Sequence, residues 1–139
     1  MNYSPNLLKN LGIKLAMEFT KEKRPAEVRL FQAILLQAFE DSLSASGFKR
    51  ETYWKQDSHQ WFTSNCEDFQ NVCWNADMDP QIVREEYNKL VKIGKIKFTK
   101  LQRSWLSYRE YYKAYRGAKT KKERAEVKRR IFTEKVRVR

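Results

Sequence analysis

Apolar residues recur at helical spacing in two early stretches. Leu7, Leu8, Leu11, Leu15 and Phe19 share one face behind Ser4-Pro5, a capping hydroxyl followed by proline at the first helical position, which predicts a helix to about Thr20. Pro25 opens a stronger run, in which Val28, Phe31, Leu35, Ala38 and Phe39, widened by Leu30 and Ile34, predict the spine of the core; Ser46-Gly47 marks its end. The pattern then lapses. Tyr53, Trp54, Trp61 and Phe62 stand among polar neighbours, which predicts a loop with one short helix over residues 59–63. Ser64-x-x-Glu67 matches a capping box and predicts a third helix from about Asn65.

From Asn65 to Leu90 two amphipathic runs meet at Asp77-Met78-Asp79-Pro80. Phe69, Val72, Cys73 and Ala76 form the inner face of the first run, with two small members, and Val83, Tyr87, Leu90 and Val91 that of the second. Asp79 and Pro80 restart the helix as cap and first helical residue. Asp77 stands where a turn glycine is usual, and aspartate tolerates the left-handed region better than most residues. Small inner residues, a tight turn and an aliphatic returning face together predict a helix-turn-helix-like pair over residues 65–92. An ordinary helical hairpin is the structural alternative.

Behind Gly94, Ile96 and Phe98 alternate with Lys95, Lys97 and Thr99, the pattern of a minor β wing. Ser107-x-x-Glu110 and Thr120-x-x-Glu123 predict helices over residues 105–116 and from 121 to about 135, separated near Gly117. The expected fold is mainly α: a small helical domain over residues 1–100 that contains the helix-turn-helix-like pair, then a basic, aromatic, helical extension over residues 101–139.

The 139 residues suffice for one modest core, and Trp 4, Tyr 7 and Phe 8 are too many aromatics for a wholly disordered chain. Charge changes the picture more. Residues 1–88 hold 10 basic and 13 acidic side chains, and residues 89–139 hold 19 and 4, so the whole excess of +12 is C-terminal. Such segregation points to a polyanion, nucleic acid before membrane, because the tail lacks the long apolar face of a membrane-surface helix.

A recognition helix starting at Pro80 would turn Gln81, Arg84, Asn88 and Lys92 outward, together with Glu85. Arginine pairs with guanine edges and glutamine or asparagine with adenine. In the tail, Lys119, Lys121, Lys122, Arg124, Lys128, Arg129 and Arg130 are candidates to neutralise phosphates. Tyr108, Tyr111, Tyr112 and Tyr115 interleave with Arg109, Lys113 and Arg116, an arrangement that suits stacking on unpaired bases or, more simply, packing between helices.

Other chemistry is thinly represented. His59, Cys66 and Cys73 do not have structural-zinc spacing, and two cysteines seven apart on a helix fit reduced thiols better than a disulfide. There is no Gly-rich phosphate loop and no nucleophile motif. The carboxylates Glu67, Asp68, Asp77 and Asp79 could hold magnesium for a nuclease, but caps and turns account for them more simply. No enzyme activity and no cofactor are therefore expected. Ala33-Ile34-Leu35-Leu36 is too short to span a bilayer and the N-terminus carries no signal pattern, so the expected location is the cytoplasm, without membrane attachment.

The run Trp61-Phe62, then Asp68-Phe69-x-x-Val72-Cys73-x-x-Ala76-x-Met78-Asp79-Pro80-x-x-Val83-Arg84, resembles a pattern in small bacteriophage and prophage proteins, and Leu30 to Asp41 is similar as well. The resemblance covers a third to a half of the chain. It implies a phage-type accessory or regulatory role in a host cytoplasm and assigns no binding residues; relatives of this kind commonly carry glycine where Asp77 stands and lack so long a basic end. The expected function is a non-enzymatic transcription regulator that binds nucleic acid, duplex DNA first, with RNA or single-stranded DNA as alternatives. Host RNA polymerase, gripped through Trp54, Trp61 and Trp74, is an alternative partner, as is packaged genomic DNA in a virion. No heptad seam fixes an oligomeric state.

Overall fold

The computed structural model describes residues 5–21 and 24–138. These form eight helices: α1 (Pro5–Asn10), α2 (Ile13–Thr20), α3 (Ala26–Leu43), α4 (Lys49–Thr63), α5 (Glu67–Asn75), α6 (Pro80–Lys92), α7 (Lys100–Gly117) and α8 (Lys121–Val138). The chain divides into two compact units, one of residues 1–44 with 54–97, the other of residues 45–53 with 98–139. The second unit thus takes a short piece from the middle of the sequence, including the start of α4.

In the first unit the core joins Leu7, Leu11, Leu15 and Phe19 to Leu35, Leu36 and Phe39 of α3, Phe62 of α4, Phe69, Val72 and Cys73 of α5, and Val83, Tyr87 and Leu90 of α6. Its centre is aromatic. Tyr87 stacks on Phe62 at 4.2 Å between ring centroids, Phe39 lies 4.6 Å from Phe62, and Trp61 meets Phe69 edge-on at 5.0 Å. Such pairs add roughly 0.5–1.5 kcal/mol each beyond the area they bury.

Several local expectations are corrected. The first predicted helix is two, interrupted at Leu11-Gly12, and the cap expected from Ser4 lies outside the described residues. Gly12 is extended and precedes α2, and Glu86 Oε2 approaches so closely that a methyl group on Gly12 would stand 2.6 Å from it. The buried Glu86 carboxylate is paired with Lys89 Nζ at 3.1 Å, which accounts for an acidic side chain at the inner edge of α6.

The face of α3 is rotated from its expected position: Leu30 and Ile34 are exposed, whereas Gln32 and Ser42 are buried with Leu35, Leu36 and Phe39. Gln32 Nε2 donates to the Ala76 carbonyl oxygen at 3.2 Å, satisfying an acceptor at the end of α5. Residues 49–63, expected to be mostly loop, are one continuous helix. Its inward positions are Thr52, Lys55, His59 and Phe62, so the stripe is present but written largely in polar residues. Lys55 Nζ donates to the carbonyl oxygens of Ser44 and Lys97, both at 2.6 Å, and His59 Nδ1 shares a hydrogen bond with the Tyr87 hydroxyl at 2.7 Å.

The capping box at Ser64 is not made. The Ser64 amide continues α4 by donating to Gln60, Asn65 takes a left-handed φ of 52°, and α5 starts two residues later, at Glu67, with Cys66 preceding it. Nor is there a β wing; no strand occurs among the described residues. Gly94 turns left-handed at φ 83°, the Lys95 and Ile96 amides both donate to the Leu90 carbonyl oxygen, and the Ile96 side chain is buried. These residues close the end of α6 in the manner of a helix C-cap.

In the second unit, α7 begins five residues before its expected start. Thr99 and Gln102 form its capping box, so Ser107 lies inside the helix. Gln102 Nε2 donates to the Ser46 carbonyl oxygen at 3.0 Å and Trp105 Nε1 to that of Gly47 at 2.9 Å. Gly47 does not close α3, which ends at Leu43; the Leu101 side chain would meet a Cβ there at 2.8 Å. Ala118, Lys119 and Thr120 connect α7 to α8, and the box expected at Thr120 is present, with the Glu123 amide donating to Thr120 Oγ1 at 3.1 Å. α7 and α8 pack along each other.

Candidate nucleic-acid interface

α6 owes its start to Asp79, whose side chain accepts from the Gln81 amide at 2.9 Å, with Pro80 next. The preceding turn depends on Asp77 at φ 60°, in the left-handed region, and its carboxylate pairs with Arg24. Met78 is buried beneath the turn. Of the acidic residues considered for a metal, Asp77 and Asp79 are thus engaged, Asp68 accepts from Trp61 Nε1 at 2.8 Å, and no group of three metal-ligating side chains occurs among the described residues. Cys66 and Cys73 are free, and burial pushes the Cys73 thiol up to about 12.

On the outer side of α6, Gln81, Asn88 and Lys92 are exposed. Arg84 is half-buried at the edge of this stripe, its Nε enclosed without a hydrogen-bond partner, so its guanidinium reaches solvent through only part of its surface. Glu85 lies within the stripe and accepts from Gln81 Nε2 at 3.3 Å. The stripe can donate and accept hydrogen bonds but carries little net charge.

The candidate phosphate contacts behave differently. Lys119, Lys121, Lys122, Arg124, Lys128, Arg129 and Arg130 are all exposed, and all belong to the second unit. Lys121, Lys122, Lys128 and Arg129 fall within about 120° of the helix circumference at 100° per residue. Arg130 is partly neutralised by Glu126 at 3.1 Å, and Arg124 Nε donates to the Ala118 carbonyl oxygen at 3.4 Å.

The same unit contains a cleft of about 480 Å³ between the start of α4 and the middle of α7. Tyr53, Tyr108 and Tyr112 supply its rings; Lys49, Arg109, Lys113 and Arg116 supply its charge. Arg109 lies over Tyr53 and Arg116 over Tyr112, each 4.6 Å from the ring centroid, and Tyr108 and Tyr112 are nearly parallel at 26°, 6.2 Å apart. Burial, and then neighbouring Tyr108, raise the Tyr53 phenol above its usual range against the opposing pull of Arg109, so Tyr53 remains a hydroxyl donor at neutral pH. Of the interleaved tyrosines, Tyr108 and Tyr112 line the cleft, while Tyr111 and Tyr115 do not. Lys49 and Tyr53 have no place in the sequence expectation for this region. Their signal is weak: a basic and an aromatic residue one turn apart, about fifty residues before α7.

No protein-family model, curated protein or solved structure matches this chain. No helix among the described residues is long and apolar enough to cross a membrane.

Proposed function

We propose that this chain is a non-enzymatic nucleic-acid-binding protein, with duplex DNA as its first partner, acting as a phage-type transcription regulator. In this reading the second unit grips phosphates, and α5 with α6 serves as a helix-turn-helix-like pair whose outer residues Gln81, Arg84, Asn88 and Lys92 meet base edges. One observation carries it. The first unit holds 12 basic and 12 acidic residues, whereas the second holds 17 and 5, so the entire net charge of +12 coincides with one structural unit. A neutral unit joined to a strongly cationic one is the division expected when one part supplies sequence-independent affinity and another discriminates.

Electrophoretic mobility shifts on duplex DNA, single-stranded DNA and RNA across a salt series test the proposal. Replacing Lys128, Arg129 and Arg130 together by glutamine should weaken duplex binding to all sequences alike and flatten the log-log salt slope by about 2.7, at about 0.9 for each phosphate no longer neutralised. Absence of polyanion binding at low salt, or an unchanged slope, would defeat it.

Trp74 on α5 is 62% exposed and Trp54 on α4 is 48% exposed, which favours a second reading, a module that grips host RNA polymerase or another host protein through aromatic anchors. A partner retained from host lysate after nuclease digestion, and lost with Trp74→Ala, would support that reading over the first.

A further inference from the structure

We infer that the cleft between the start of α4 and α7 seats an unpaired nucleotide of single-stranded nucleic acid, with its base on the Tyr112 face and its phosphate on the surrounding arginines and lysines. The inference rests on the nucleic-acid reading and deepens it by naming a strand-selective site.

The chemistry of the lining decides the ligand class. Four cations and no carboxylate face the cleft, which calls for an anion, and three tyrosines call for a flat, polarisable group beside it. A free phosphate would leave the rings unused, and an apolar molecule would leave the cations unused. A nucleotide uses both, and a volume of about 480 Å³ lies in the ordinary range for a small-ligand site. In a duplex, base faces are covered by their neighbours; in a single strand they are available to aromatic side chains.

The arginines are arranged for this task. A guanidinium laid on a ring keeps its N–H donors in its own plane, directed sideways, where a phosphate can accept two of them. Arg116 Cζ stands 4.6 Å over the centroid of the Tyr112 ring, close enough for such a stack, and Tyr112 itself is 40% exposed, so the ring retains surface for a base. Lys113 is 3.9 Å from Glu110, too loose a pairing to neutralise it.

The test uses the full chain with fluorescent oligo(dT) and oligo(rU) of about 12 nucleotides, a duplex of the same length, and inorganic tripolyphosphate as a base-free competitor. Tyr112→Leu should weaken single-strand binding about tenfold, Tyr112→Phe should retain it, and duplex binding should change by less than about twofold with either. Tripolyphosphate should compete poorly against either oligonucleotide. A 5-bromouracil-substituted oligo(dT) should crosslink on irradiation to the peptide that contains Tyr108 and Tyr112, a readout that needs no variant. Preference for oligo(rU) or for oligo(dT) names the natural strand; either supports the site. Duplex binding that survives alongside single-strand binding indifferent to Tyr112→Leu, or crosslinks confined to α8, would overturn the cleft assignment alone. A chain that binds neither form overturns the nucleic-acid reading as well.

Discussion

Lys55 Nζ donates to the Lys97 carbonyl oxygen at 2.6 Å, tying the segment after α6 to the middle of α4. Lys55 is 2% exposed, and burial lowers its ammonium from 10.5 to about 8. Between those values the unfolded chain binds the proton more readily than the folded one, so this lysine makes folding more favourable as pH rises through that window. Cys73 and Tyr87 act in the opposite sense, because burial raises both to about 12; their contribution is complete below 9 and 10 respectively and is lost as pH rises. The difference between wild type and Lys55→Met isolates the lysine. Loss of its hydrogen bonds should cost about 1–3 kcal/mol at pH 7. The gap should widen from pH 8 to 10.5, measured by urea unfolding; a gap that narrows would contradict the assignment.

The turn before α6 predicts two unequal substitutions. Asp79→Ala removes the side-chain cap on the Gln81 amide and should cost about 1 kcal/mol. Asp77→Gly should be nearly neutral, because relief at a left-handed φ offsets loss of the exposed Asp77 carboxylate, and the mostly buried Arg24 keeps Glu18 as a partner at 3.2 Å. Thermal unfolding of the two variants should rank them in that order.

On α6, the exposed amides are separable from the cations. Gln81→Ala and Asn88→Ala should each lower discrimination between preferred and scrambled duplexes by about 1–3 kcal/mol and leave the salt slope unchanged. Selection of binding sites from a random duplex pool, followed by affinity measurement, checks both. Identical selected sites for wild type and both variants would exclude base reading by this stripe.

How much of the fold is legible in the chain depends on which residues perform which task. Asp79-Pro80 and Thr120 with Glu123 use side chains whose capping role is local, so the starts of α6 and α8 agree with expectation. α4 is hidden because Thr52, Lys55 and His59 take inward positions ordinarily held by aliphatics, and Lys55 depends on carbonyls distant in sequence. The face of α3 misleads for a related reason: Gln32 is buried by a bond to Ala76, while Leu30 and Ile34 remain outside. Ile96 imitates a strand residue but fills the core beneath the end of α6. The exposed cations of α8 are legible from charge alone, whereas half of the tyrosine cleft is not, since Lys49 and Tyr53 join α7 only through folding.

Residues 45–53 belong to a unit whose other members begin at residue 98. During synthesis, Ser46 and Gly47 leave the ribosome long before Gln102 and Trp105 exist to occupy their carbonyl groups. A chain cut after residue 97 would keep those acceptors without their donors, and a transplanted C-terminal piece would lack one wall of its cleft. The two units are consequently inseparable by any single scission, and moving the cationic one onto another protein would require carrying the nine-residue insert with it.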